Sequence, residues 1–324
     1  MFKLKSNTKC LITGSNGFLG HHLINQLKKK RVKIIRTSSK KYDLRNFDET
    51  IKLLKNTKPE VIFNLAAKVG GILDNKIHPA DFFFDNLKII ANIFEASSKT
   101  NVKKIINIGA GCGYPLDSKE PLEEKDIFSG LPQYESLPYS MSKKMIFVGS
   151  VAYRRQYGLS SSSIIPSNLY GEFDNFNLET SHVIPALIRK FYEAQKINKN
   201  FVEIWGTGKA KRDFVHAKDV AKSLIFLCEN NEDLEPVNIC SGKQISIKQV
   251  ASILKKISNF KGGIKWISSK PEGQKSRQFS TIRMKKIIGK KANDFIQIEE
   301  GLKLTYNWFK KNYNSKNIRL WKKI

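Results

Sequence analysis

A tyrosine and a lysine four residues apart, in Pro138-Tyr139-Ser140-Met141-Ser142-Lys143, lie on one face of any helix that carries them and can share one catalytic proton. A phenol titrates near ~10, so Tyr139 can relay protons at neutral pH only where positive charge stabilises its anion. Lys143 supplies that charge. The pair alone recurs by chance in many chains, as a packed aromatic beside a solvated lysine. A second signal stands far upstream, in Thr13-Gly14-Ser15-Asn16-Gly17-Phe18-Leu19-Gly20, where an apolar run gives way to a helical pattern. Gly14, Gly17 and Gly20 have no side chain to keep backbone from a pyrophosphate, and the helix that starts at Phe18-Leu19 offers free N–H groups to its charge. Together the two segments point to a nicotinamide-dependent enzyme. At the end of the second apolar run an acid would hold the adenosine ribose hydroxyls, but the chain reads Arg36-Thr37-Ser38-Ser39-Lys40. These donors and cations suit a 2′-phosphate, so NADP is expected ahead of NAD. Asp43-Leu44, soon afterwards, can hold the adenine edge.

The elements that must position these residues follow from periodicity. Short apolar runs, Cys10-Leu11-Ile12, Val32-Lys33-Ile34-Ile35, Val61-Ile62-Phe63-Asn64-Leu65 and Ile105-Ile106-Asn107-Ile108, alternate with amphipathic helical stretches. That is the pattern of an α/β fold with a doubly wound parallel Rossmann sheet. A further buried strand is expected at Ser162-Ser163-Ile164-Ile165-Pro166, after the long helix of Tyr139, and then a loop rich in Asn, Asp and Phe up to Thr180. From His182 the alternation weakens, with turn signals at Gly206-Thr207-Gly208, Gly262-Gly263 and Pro271-Glu272-Gly273. The expected division assigns residues 1–180, rejoined by about 213–240, to an NADP-binding domain. Residues 181–212 and 241–312 form a smaller, mixed α/β substrate-binding domain, and 313–324 a basic tail.

A chain of 324 residues allows one large or two modest domains, and 40% hydrophobic content suffices for a buried core. Met1-Phe2-Lys3-Leu4-Lys5 runs straight into a strand without a cleavable apolar leader, and no apolar run reaches membrane-spanning length. A cytoplasmic location with no membrane partner is expected. Cys10, Cys112, Cys228 and Cys240 lack paired spacing, which argues against a disulfide framework and against a metal site. The formal net charge of +28 is mostly lysine spread along the chain, without an arginine-rich arm or an array of stacking aromatics. This favours compositional bias and attraction of phosphate-bearing small molecules over a nucleic-acid partner.

The combination of Tyr139, Lys143 and the glycine-rich turn resembles the extended short-chain dehydrogenase/reductase superfamily. Further segments narrow the likeness. Asn64-Leu65-Ala66-Ala67-Lys68-Val69-Gly70-Gly71-Ile72, Pro166-Ser167-Asn168-Leu169-Tyr170-Gly171, Asp174-Asn175-Phe176, Ser181-His182-Val183-Ile184-Pro185-Ala186-Leu187-Ile188-Arg189, and Trp205-Gly206-Thr207-Gly208 followed by Arg212-Asp213-Phe214-Val215-His216 are similar to the GDP-L-fucose synthase family, over roughly residues 8 to 312. The resemblance implies a homodimeric, NADPH-dependent enzyme. Its substrate would be a GDP-4-keto-6-deoxy-mannose, epimerised at carbons 3 and 5 and then reduced at the ketone. It places the acid/base pair on Cys112, within Gly109-Ala110-Gly111-Cys112-Gly113-Tyr114-Pro115, and on His182. It also places Ala66, Ala67 and Asn168 near the cofactor, Arg212 on the diphosphate, and Lys190, Trp205 and Arg277 along the sugar or nucleotide pocket, with His216 supporting its loop. The chain departs from the family at Ala110, where a Ser or Thr hydroxyl usually contacts the reacting oxygen; water, Ser140 or another group would have to replace it. Two other readings remain: an epimerase, dehydratase or dehydrogenase of another nucleotide sugar such as a GDP-heptose, and a catalytically weak basic protein that binds nucleic acid or a partner.

Overall fold

Strands buried on both faces read as unbroken apolar runs, and the runs of the first half do form parallel strands. A computed structural model describes residues 2–270, 273–315, 318 and 320, so Pro271 and Glu272 of the third turn signal lie outside the described residues. β1 (Lys9–Thr13), β2 (Lys33–Arg36), β3 (Val61–Asn64), β4 (Lys104–Ile108) and β5 (Ser160–Pro166) alternate with α1 (Phe18–Leu27), α2 (Phe47–Thr57), α3 (Ile72–Ile77), α4 (Pro79–Ser98) and α5 (Leu137–Tyr157). The chain then adds β6 (Asn168–Tyr170), α6 (Val183–Lys196), β7 (Phe201–Trp205), β8 (Lys211–His216), α7 (Ala217–Asn230) and β9 (Val237–Ile239). The last elements are β10 (Gln244–Ser246), α8 (Ile247–Ile257), β11 (Gly263–Ile267), α9 (Ile282–Ile288) and α10 (Ile298–Asn312).

The main sheet has the order β2-β1-β3-β4-β5-β9 and every pairing in it is parallel. From β1 the chain moves outward to β2 and then crosses back to β3 on the other side, so the strand order reverses between β1 and β3. Ligands of such sheets bind in the crevice that this reversal opens at the carboxyl ends of the strands. Helix α1 packs on α7, while α2 and α5 both pack on α4.

A row of buried polar side chains crosses the sheet beneath that crevice. Thr13 Oγ1 accepts from the Ala66 amide (3.0 Å) and donates to Asn64 Oδ1 (3.0 Å). Asn64 Nδ2 donates to Asn107 Oδ1 (3.1 Å), and Asn107 Nδ2 donates to Ser161 Oγ (3.1 Å). Ser161 Oγ meets Ser150 Oγ at 2.9 Å, and Ser150 is bonded to the Ile146 carbonyl within α5. All five side chains are buried, so each must find its partner inside the protein.

A second apolar core forms around Phe176, Leu187, Ile188, Phe191, Val250, Leu254, Leu302 and Phe309. It is framed by α6, α8 and α10, by the sheet β10-β8-β6, and by the parallel pair β11-β7. The polar loop expected after β5 contains β6, which pairs parallel with β8. Three departures from the expected division have physical causes. Phe279, Met284 and Ile288 join the first core, because α9 packs on β9 and α7 at the sheet edge. The return segment splits, since β8 pairs with β6 and β10 while α7 and β9 complete the main sheet. The tail is also held in its described part: the Leu320 carbonyl accepts from buried Arg189 (2.8 Å) and from Asn177 (3.2 Å).

The polar row makes a stability prediction. Asn64→Leu strands Thr13 Oγ1 and Asn107 Oδ1 without their partner, at about 1–3 kcal/mol for each orphaned group. The expected readout is a lower midpoint in urea unfolding, and a midpoint equal to wild type would contradict it.

Candidate active site

The crevice between β1 and β3 begins with a turn that only glycine allows. Gly14 has a φ of 64°, and a Cβ there would fall 3.0 Å from the Ala66 amide nitrogen. A Cβ on Gly20 would lie 2.5 Å from the Gly14 carbonyl oxygen. Gly17 donates to the same oxygen (2.9 Å) and precedes α1, whose first turn holds no acidic residue. The helix start therefore keeps free N–H groups for an anion. Leu19 is buried in the first core, and Phe18 packs edge-on against His22 with ring centroids 5.8 Å apart. At the end of β2, exposed Arg36 donates to Asn16 Oδ1 (3.1 Å), which ties the guanidinium to the glycine-rich turn. Ser15 Oγ donates to the Thr37 carbonyl (2.9 Å), and the Thr37 hydroxyl is buried with no hydrogen-bond partner. A cradle that a Cβ would fill, a free helix start, a tethered cation and an orphaned hydroxyl suit a dinucleotide with a 2′-phosphate. Half-buried Ala66 and Ala67 sit where β3 ends.

Asp43 fits its expected role less well. Its carboxylate is taken by Arg45, at 3.0 Å from Nε and 2.7 Å from NH2, and the guanidinium holds it below the usual carboxylate range. Leu44 is buried in the core and its carbonyl accepts from Asn92 (2.9 Å). The Asp43 main chain is engaged as well, its N–H donating to Glu49 Oε2 (2.6 Å) and its carbonyl accepting from the Asn46 amide (2.9 Å). Asn168, on β6, spends its amide on the Asp213 carbonyl (3.0 Å).

Tyr139 lies in the first turn of α5, and Lys143 follows one turn later. The Tyr139 ring is half-buried and meets Phe82 of α4 edge-on, at 6.0 Å between centroids. Lys143 is 5% exposed, and burial pulls its ammonium down to about 8 while the Cys112 thiol opposes the shift. Burial, with a further push from Cys112, raises the Tyr139 phenol. Neither polar group has a hydrogen bond among the described residues, so both are open to a ligand.

Cys112 follows β4 on the single helical turn Gly111–Gly113. Ser140 Oγ stands 3.2 Å from its sulfur and 3.2 Å from its carbonyl oxygen. Arg277 NH1 donates to the Gly111 carbonyl (2.5 Å) and NH2 to the Tyr114 carbonyl (3.4 Å), which fixes the loop. Gly111 has no room for a side chain, since a Cβ would fall 2.7 Å from the Phe279 ring. Burial pushes the Cys112 thiol up, while the Ser140 hydroxyl and the charges of Arg277 and Lys143 pull it back. The half-exposed Ala110 side chain provides no donor.

His182 occupies the cap position of α6 without using its side chain as a cap. Solvent reaches the ring, yet enough protein surrounds it that desolvation lowers its pKa. Close approaches tie its segment to the tyrosine. A Cβ on Gly71 would lie 3.5 Å from the Ser181 carbonyl oxygen, one on Gly70 would lie 2.9 Å from Phe82, and Phe82 packs on Tyr139.

Cys112 therefore acts electrostatically on each of Tyr139, Lys143 and Arg277. Other expected substrate residues stand on the second sheet system. Lys190 Nζ donates to the Glu203 carbonyl (2.9 Å) and lies over the half-exposed Trp205 ring, 5.8 Å from its centroid, with burial lowering its pKa. Arg212, on β8, donates to the Lys211 carbonyl (2.7 Å). A recess of about 270 Å³ beside Arg277 is lined by Leu116, Glu120, Lys275 and Ser276. His216 is buried; its Nδ1 accepts from the Lys218 amide (3.2 Å) and its Nε2 lies 3.2 Å from Glu172 Oε2. The Glu172 carbonyl is 2.9 Å from His22 Nε2, which joins α1 to the second sheet system. Burial lowers His22 to about 4, and the two histidines hold Glu172 near about 2 against its own burial. Sequence reasoning missed the contact of Ser140 with Cys112, the ring of Phe279 and this buried cluster. Ser136 and Ser140, spaced to share a helix face with each other, were the one available signal. Among the described residues no three or more His, Cys, Asp or Glu side chains could hold a metal ion. No helix there is long and apolar enough to cross a membrane.

The profile of the NAD dependent epimerase/dehydratase family matches residues 10–240. The chain belongs to this family. A GDP-L-fucose synthase of Sinorhizobium fredii is 36% identical over 93% of this chain and 95% of its own. A GDP-L-fucose synthetase of Naegleria fowleri, solved bound to NADP, superposes with a TM-score of 0.90 at 30% identity, covering 98% of this chain and 96% of that one. A Campylobacter jejuni GDP-6-OMe-4-keto-L-xylo-heptose reductase gives a TM-score of 0.88 at 29% identity, covering 96% of this chain and 100% of that one. Within the epimerase/dehydratase family this chain is an NAD(P)-dependent nucleotide-sugar epimerase/reductase.

The buried lysine of this family member sets a pH limit. Lys143 is charged below about 8 and loses its charge as pH rises through that value. Single-turnover NADPH oxidation is therefore expected to fall above about pH 8, approaching tenfold per unit, and to stay level further up in Lys143→Arg if that variant is active, because guanidinium keeps its proton. A wild-type profile flat to high pH would contradict this role.

Proposed function

We propose that this enzyme converts a GDP-linked 4-keto-6-deoxyhexose to GDP-L-fucose or a close nucleotide sugar, by epimerisation followed by NADPH-dependent reduction. The observation that supports the reading is that Ser140, next to Tyr139 on α5, has its Oγ 3.2 Å from the Cys112 sulfur, which brings the thiol against the helix of Tyr139 and Lys143. One cleft thus holds a carbon acid/base and a carbonyl proton relay. We assign cofactor binding to the unit around the first core and substrate binding to the unit around the second.

A ketone at carbon 4 acidifies the C–H bonds at carbons 3 and 5. Cys112, as thiolate, takes a proton from one face; the C–H electron pair becomes an enolate with its charge on the ketone oxygen, and His182 returns a proton to the other face. For the reduction, NADPH would be held by Gly14, Gly17, Gly20, Arg36 and Thr37, and the hydride comes from it. Tyr139 delivers its proton to the ketone oxygen, and Lys143 stabilises the phenolate left behind. The shifts on Cys112 and His182 leave a thiol and a neutral imidazole at rest. Exchange then needs the thiolate fraction of one and the protonated fraction of the other, so its pH profile should be bell-shaped.

Incubation in D₂O without NADPH tests the assignment. Wild-type enzyme is expected to wash deuterium into carbons 3 and 5 of the 4-keto sugar, and Cys112→Ala or His182→Ala to slow this by about 10²–10⁴-fold. Unchanged labelling in both variants would overturn the reading. Ala110 favours a second reading, reduction of a GDP-linked 4-keto-heptose, as does the likeness to the Campylobacter heptose reductase. Exchange and reduction confined to the heptose, in a panel holding both sugars, would select it.

We also infer a cytoplasmic homodimer. Its four free thiols, Cys10, Cys112, Cys228 and Cys240, suit a reducing compartment. Phe83 and Phe84 of α4 and Val148 of the adjoining α5 are exposed, a face that a second copy could cover. Phe84→Lys is expected to shift sedimentation from dimer to monomer, and a wild-type monomer would refute the inference.

A further inference from the structure

We propose that Ser140 is the positioning residue of the Cys112 base, its hydroxyl turning from the Cys112 carbonyl oxygen to the Cys112 sulfur when the thiol ionises. This rests on the reading of Cys112 as a base. Ser140 is wholly buried, and its Oγ lies 3.2 Å from each of these acceptors and 3.4 Å from Ser136 Oγ. A hydroxyl has one proton to donate, so it satisfies one strong acceptor at a time. A neutral thiol accepts weakly and the carbonyl oxygen is the better partner. A thiolate is a full anion, and hydrogen bonds to ionised groups are roughly twice as strong as neutral ones. The preferred acceptor therefore changes with the charge on sulfur, and rotation about one side-chain bond is enough to follow it.

The surroundings leave this task to Ser140. The titratable groups acting on the sulfur are Lys143 and Tyr139 from α5 and Arg277 from the segment after β11. Arg277 directs three of its five donors at the Gly111 and Tyr114 carbonyls and the Gln274 side chain and has no hydrogen bond to the sulfur among the described residues, so it acts there through charge. Lys143 likewise acts through charge. Among the described residues Ser140 is the one side chain that donates a hydrogen bond to Cys112 Sγ. Because it adjoins Tyr139 on the same helical turn, α5 sets the base and the proton relay together.

The proton movements balance without a further reactant. As the C–H proton passes to sulfur, its electron pair stays on the sugar as the enolate. The new S–H no longer needs a strong donor, and the Ser140 proton returns to the Cys112 carbonyl. When Cys112 gives the proton up again, the hydroxyl turns back.

The test uses the free enzyme and iodoacetamide. Only the thiolate alkylates, so the rate against pH reports its pKa. Cys10, Cys228 and Cys240 are buried, and peptide mass spectrometry confirms that Cys112 is the labelled site. Ser140→Ala is expected to raise the alkylation midpoint by about one pH unit, which is about tenfold less thiolate at a fixed pH below it. Deuterium wash-in should fall by a similar factor at unchanged KM. Ser140→Thr, which keeps a hydroxyl, should hold the midpoint near wild type; a shift as large as that of alanine would count against the hydroxyl. Wash-in indifferent to Cys112→Ala overturns the base reading and this proposal with it. Wash-in lost in Cys112→Ala, but untouched along with the alkylation midpoint in Ser140→Ala, overturns the proposal alone.

Discussion

The buried row from Ala66 through Thr13, Asn64, Asn107, Ser161 and Ser150 to α5 is the constraint on which the site depends. A parallel sheet could be built from apolar strands without it. What the row adds is register along the strands: each side chain bonds to the next at about hydrogen-bond length, and a slip by one residue would point the set to the other face and break the row. One end of the row fixes the loop that faces Gly14. The other fixes the helix that carries Tyr139 and Lys143. Cofactor cradle and proton relay are therefore held by the same interior bonds, and neither needs a ligand to find its place.

Around that frame, burial sets the chemistry by favouring neutral forms. It raises the Cys112 thiol and the Tyr139 phenol and lowers His182 and Lys143. Keeping the thiol and the imidazole neutral at rest avoids part of the cost of burying charge. It also makes the thiolate of Cys112 a minor form that local donors and charges must support. Arg277, Lys143 and Ser140 all act in that direction on the thiol.

The main sheet was legible because strands covered on both faces must be apolar throughout, as in Val61-Ile62-Phe63 or Ile105-Ile106. Spacing was enough for Tyr139, Lys143 and the three glycines, since helix pitch and a tight turn are local matters. β6 escaped because three residues, Asn168 to Tyr170, carry no period and gain their pairing from β8, more than forty positions away. At Asp43 spacing does not show that Arg45, two residues on, engages the carboxylate. Leu320 looked like the end of a loose basic tail until the buried guanidinium of Arg189 claimed its carbonyl. For β6 and Leu320 the deciding partner lay outside any window that periodicity can read.

The cluster of His22, Glu172 and His216 joins the first helix of the cofactor unit to the sheet of the second. With Glu172 ionised down to about pH 2 and His22 neutral down to about 4, this joint stays closed around neutrality. His22 would bind its proton near ~6.5 once unfolded, so between there and about 4 acid withdraws stability from this seam, and none of that loss comes from the polar row across the sheet. The seam is thus one place where mild acid weakens the molecule. Around neutrality the helix that opens the cofactor cradle is joined to the second sheet system through a neutral ring, by the contact of His22 Nε2 with the Glu172 carbonyl.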